Sequence, residues 1–321
     1  MLGCTILRVG AILCLCLHAG CVREWIVDSN ESYADAQSRL SVGDTVTMMS
    51  GVYSGNKSCG IAINASYITL RAQVPGSVTI NCNNSSRHLT LSGSNIILHG
   101  IIFVDGFSQD SGGCIFLNQS DCIIQDCNFS RCSSSSNGGG IVTAEFVRNV
   151  TISSAVFKFC SAAYGGAIFL TGAAFARLQG RSNFQYNKAL SNGGGIYLSD
   201  GAGIEFNTSS TNFTNNIVNL KGGAIYVGSA CNFLLSGVAL FANNSAISSS
   251  GAGGALFITN SSVMLTGNSD LVFRDNICLG SGGAVALFSG STLRALGAIR
   301  FIGRYPFPSL FIATLMRSNP T

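Results

Sequence analysis

Four aspartates, Asp105, Asp110, Asp121 and Asp126, crowd one short stretch of the chain and are its best source of converging carboxylates. Two carboxylates flanking a glycosidic bond would serve hydrolysis, and a base beside a bound calcium would serve elimination from an acidic sugar. The register argues against convergence. With Phe103 aligned on Phe129, Asp126 falls beside Gly100 and Asp105 beside Arg131, so these acids share no column and read as solvated turn residues. His99 falls beside Gln125 and reads as a lone coil residue. No CxxC pair occurs, and beyond the N-terminal leader only His88 and His99 remain, which leaves no zinc set. No catalytic residue, metal or cofactor is expected.

The elements that position these residues come from an internal repeat. A glycine doublet followed by a small and then an aliphatic residue recurs seven times at a spacing of 26 to 31 residues, from Gly112-Gly113-Cys114-Ile115 to Gly282-Gly283-Ala284-Val285. A phenylalanine follows each doublet by 17 to 20 residues: Phe129, Phe157, Phe184, Phe213, Phe241, Phe273 and Phe301. Two signals on one period mean a solenoid, whose units bury their apolar faces only by stacking. Short apolar runs such as Val150-Thr151-Ile152 and Ile204-Glu205-Phe206, separated by Gly, Asn and Ser, are strand and turn chemistry. Helical repeats would lose about 1 kcal/mol at each glycine. The fold expected is all-β, a right-handed parallel β-helix.

Three residues after the column phenylalanine stand Asn187, Asn216, Asn244 and Asn276. Asparagine stacked on asparagine can link side-chain amides from coil to coil at a tight corner. Cys132 and Cys160 hold the same column in earlier coils, and one coil spacing lies within the Cα separation a disulfide accepts, so they are expected to bond or touch.

In the strand after each doublet, period-two alternation turns Phe116, Val142, Phe169, Tyr197, Tyr226, Phe257 and Ala286 outward. Phe116, Phe169, Tyr197, Tyr226 and Phe257 form an aromatic stripe. Stacked rings could serve only the sheet, or could form a platform for sugar rings or a protein partner.

Repeated GGAI, as at Gly222 to Ile225, and FxxN, as at Phe184 to Asn187, resemble the paired motifs of the chlamydial polymorphic outer-membrane proteins and related extracellular β-helix proteins. The resemblance covers about residues 112 to 304, although the first coils lack the Asn and Arg304 replaces it in the last. The order GDTVTMMSGVYSG, ITLRA, VTINC and LTLSGSNIILHGIIF, behind a short helix expected over Glu31 to Leu40, resembles the cap and first coils of the pectin-lyase-like superfamily. Residues 22–111 are therefore expected to begin the same solenoid. Residues 305–321 break the repeat and read as a tail.

Arg8, the apolar Val9 to Leu17 and the small Ala19 and Gly20 read as a secretory signal over residues 1–21, with acylation of Cys21 as a rival reading. Cysteines in an exported chain read as disulfides, with buried thiols the alternative for some. Twelve Asn-x-Ser/Thr sequons occur, none of them at a ladder asparagine, which suits surface glycosylation beside buried ladder positions. The net charge of +4 is gathered into no basic run, so nucleic acid is not an expected partner, and no membrane span is expected after residue 22. The reading is a secreted or cell-surface, non-catalytic adhesion module for an extracellular glycan or protein. A polysaccharide lyase or hydrolase is the second reading.

Overall fold

The computed structural model describes residues 5–9, 12–16, 23–29, 37–144, 147, 149–303 and 314–315. The chain is an all-β, right-handed parallel β-helix. Most of the helix expected over Glu31 to Leu40, and most of the tail, lie outside the described residues. Among the described residues three sheets form the walls, of 20, ten and seven strands. One coil shows the path. Ile196–Leu198 joins the ten-stranded sheet, Gly203–Thr214 runs the width of the long sheet, and Ile217–Val218 joins the seven-stranded sheet before the next doublet. Thr5–Val9 and Ile12–Cys16, within the segment read as a leader, pair antiparallel ahead of Glu24–Val27.

Each doublet uses its two glycines differently. Gly222 sits at φ +68, where a side chain is strained. A Cβ on Gly223 would lie 2.0 Å from the carbonyl oxygen of Gly254 in the next coil, so only hydrogen fits between the stacked backbones. The phenylalanines then fall into register from Phe103 to Phe301, with neighbouring ring centroids 4.6 to 5.2 Å apart along the lumen. Offset stacking adds about 0.5–1.5 kcal/mol per pair to the area each ring buries.

The asparagine column is fully hydrogen-bonded. Asn216 Nδ2 donates to the Phe184 carbonyl and to Asn244 Oδ1, both at 2.9 Å, while its own Oδ1 accepts from Asn187 N and Nδ2 at 3.1 and 3.0 Å. Asn244 and Asn276 continue the pattern, and all four side chains are buried.

The Cys132–Cys160 pairing is corrected. Cys132 is bonded to Cys114 of its own coil, with Cα atoms 5.4 Å apart, and Cys59 to Cys82 likewise spans a single coil. Parallel neighbours in one column keep their Cβ atoms about one strand spacing, 4.8 Å, apart, which exceeds the roughly 3.5–4.5 Å that a disulfide needs. Residues facing each other across the lumen can come closer. Cys160 keeps a buried thiol that donates to the Phe129 carbonyl at 3.7 Å, the bond that Asn187 Nδ2 makes to Phe157 one coil later. Cys160 thus begins the ladder, and burial pushes its thiol up to about 12.

His88 replaces the small residue that follows the doublet, one coil below Cys114. Its Nε2 donates to the carbonyls of Ile80 and Val104 at 2.9 and 3.1 Å, its Nδ1 is buried without a partner, and burial holds its pKa down to about 4. Above pH 6.5 the imidazole is neutral folded and unfolded. Between 6.5 and about 4 only the unfolded chain takes up the proton, so stability falls as pH falls, by about 3 kcal/mol across the window. Urea denaturation at stepped pH checks this against His88→Gln, whose curve should lack that share of the slope.

Candidate functional site

The aromatic stripe lies on the outer side of the ten-stranded sheet as one continuous stack. Phe169, Tyr197, Tyr226 and Phe257 follow at centroid separations of 5.0, 4.7 and 5.2 Å. Of the two readings, rings that serve the sheet or an open platform, the burial favours the first. Phe169 and Phe257 are buried, Phe116 is half-buried beneath the Arg87 guanidinium, and Tyr197 and Tyr226 are half-buried. The chain entering the doublets roofs the stripe: Tyr164 meets Tyr197 edge-on, Lys221 lies 4.9 Å over Phe257, and Ala252 packs beside that ring, with Ala286 its neighbour in the next coil of the stripe. Burial pushes both tyrosine hydroxyls up. The stripe is a small second core outside the lumen.

The aspartates take different roles. Asp105 and Arg131 face each other in successive coils with an Nε–Oδ1 distance of 2.6 Å, Asp121 accepts the Asn149 amide, and Asp110 is exposed. Asp126 occupies a left-handed corner at φ +52 and brings Oδ2 to 3.4 Å from His99 Nε2. His99 therefore has a carboxylate partner, whereas sequence alignment left it alone.

His99 stands directly opposite Arg71 on one side and Gln125 on the other, all three on the outward side of the long sheet. Arg71 is tied from behind. Its Nη2 lies 2.9 Å from Glu24 Oε1 and its Nε donates to Thr47 Oγ1 at 2.9 Å, while the side chain stays 46% exposed. Hydrogen bonds from Thr47 and then Arg71 hold the Glu24 carboxyl below the usual range. The result is a tethered cation in register with an imidazole whose Nε2 lies 3.4 Å from a carboxylate oxygen. Such a set can neutralise one acid group and remove a proton beside it.

The Chlamydia polymorphic membrane protein repeat matches residues 181–199 and 210–228. No curated protein sequence matches the chain. Among solved structures, a PL6-family polysaccharide lyase from Pseudopedobacter saltans matches at 10% identity and a TM-score of 0.37, covering 86% of this chain and 84% of that one. A PL6-family alginate lyase, AlyGC, matches at 14% identity and a TM-score of 0.40, over 84% of this chain and 40% of its own. The alginate lyase AlyF-OU02 matches at 13% and 0.36, over 87% and 86%. The expected non-catalytic adhesion module is corrected: these matching solved structures are polysaccharide lyases, and the second reading, polysaccharide processing, is the one carried forward as a proposal. Likeness at this level concerns the parallel β-helix alone, and the chemistry below rests on this chain's own side chains.

Proposed function

We propose that the chain is a surface or secreted enzyme that cleaves an acidic polysaccharide by β-elimination, with Arg71 and His99 as its working pair. The observation that carries this reading is their juxtaposition on one outward column, with Asp126 holding the histidine. Asp126 Oδ2 lies 3.4 Å from Nε2, which leaves Nδ1 as the nitrogen we assign as base. The Arg71 guanidinium pairs with the uronate carboxylate and draws off the charge that develops when the neighbouring C5 proton leaves. His99 takes that proton, the C5–H electrons form the C4=C5 double bond, and the C4–O bond breaks with its electrons on the departing sugar oxygen. A proton from solvent completes the leaving group. Alginate, polygalacturonate and uncharged cellulose oligomers should be offered in parallel, with the ultraviolet absorbance of the unsaturated end as readout. Absorbance should grow with at least one uronate and not with cellulose; growth with neither sinks the proposal.

A further inference from the structure

A second feature on the same wall has no structural purpose in the coil. The corner between the long and seven-stranded sheets places one residue per coil in the left-handed region: Asp105, Arg131, Phe159, Tyr186, Asn215, Asn243 and Asp275, all with φ between 51 and 58. Asn and Asp tolerate that backbone; bulky aromatic residues seldom occur there. Phe159 and Tyr186 nevertheless occupy it in consecutive coils, 48% and 49% exposed, with ring centroids 5.2 Å apart. Stacked on each other, they leave about half of their area to water, and nothing in the core depends on them. Strained backbone that carries exposed apolar rings marks function more often than stability.

The surrounding charge says what fits. Lys158 Nζ lies 5.0 Å from the centre of the Phe159 ring, Lys188 is exposed two residues beyond Tyr186, and the Arg131 side chain one coil away is 56% exposed, its Nε and Nη2 paired with Asp105. Among the described residues neither lysine has an ion-pair partner. Sugar rings present C–H faces that pack on aromatic rings, and their carboxylates suit ammonium and guanidinium groups. We infer that Phe159 and Tyr186, flanked by Lys158, Arg131 and Lys188, form an auxiliary subsite that holds an acidic polysaccharide beside the cleavage site. Arg131 stands five residues past Asp126 in the same coil, about 16 Å along extended backbone, so a single polymer can reach both. The inference rests on the acidic-polysaccharide reading and assigns that polymer a second point of attachment.

The test is calorimetric titration of the whole chain carrying His99→Ala, which removes turnover, with oligoalginate, oligogalacturonate and a cello-oligosaccharide of equal length. Adding Phe159→Gly and Tyr186→Asn should weaken oligouronate binding about tenfold. The melting temperature should hold or rise, because Gly and Asn relieve the corner. Unchanged affinity in the added double variant overturns the subsite whatever happens to turnover. Equal affinity for the uncharged oligomer, or no oligouronate binding before the two substitutions, overturns it as well. Turnover that survives His99→Ala in the otherwise native chain sinks the cleavage site and leaves this subsite standing.

Discussion

His99→Ala should lower the rate of uronate elimination by about 10²- to 10⁴-fold, the usual share of a positioned general base. The residue is an outward strand position, so folding and thermal stability should be preserved. Asp126→Asn should cost less than His99→Ala, because it leaves the imidazole in place and keeps a polar group of the same shape beside Nε2. Arg71→Lys separates charge from geometry. A lysine preserves the cation but gives up the simultaneous grip on Glu24 and Thr47 that aims it, so the rise in KM should exceed the fall in kcat. Equal activity of the His99→Ala and parent chains, measured on the same polymer, would remove His99 from the mechanism.

Asn216→Ala should destabilise the solenoid by about 3 kcal/mol. The side chain is fully buried, and its removal strips the donor from the Phe184 carbonyl and the acceptor from the Asn187 amide, each costing about 1–3 kcal/mol when orphaned. Asn216 bonds to the coil before it and the coil after it, so the loss falls on both interfaces in a fold held together by nearest-neighbour stacking. Denaturant midpoints of the two chains check this. A midpoint that does not move would mean the amides find water or new partners, and the column would then be decoration on the phenylalanine stack.

What recurs with the period could be read from the sequence, and what occurs once or twice could not. The column from Phe103 to Phe301 and the asparagines from Asn187 to Asn276 each repeat in register, so alignment of the chain on itself predicts their stacking. His99 and Asp126 belong to different columns of adjacent coils and meet diagonally, because the left-handed corner at Asp126 directs its carboxylate toward the coil below; alignment by columns separates them. Phe159 and Tyr186 escaped notice because the other coils fill that corner with short polar or charged residues, so no aromatic period exists there. Alternation correctly turned Tyr197 and Tyr226 outward, but it carries no information about chain passing overhead, and the strap before each doublet covers the stripe. The cysteines show the same limit. Sharing a column sets Cys132 and Cys160 side by side with parallel side chains, whereas the bond needs the converging geometry that Cys114 offers across the lumen.

The most direct test of the cleavage claim is the mass of the products that the purified chain releases from a defined uronate oligosaccharide. Elimination adds no water, so the fragments should sum to the mass of the substrate, with the new non-reducing end one water lighter than a saturated sugar. Fragments whose masses sum to substrate plus one water would establish hydrolysis and contradict the roles given to Arg71 and His99.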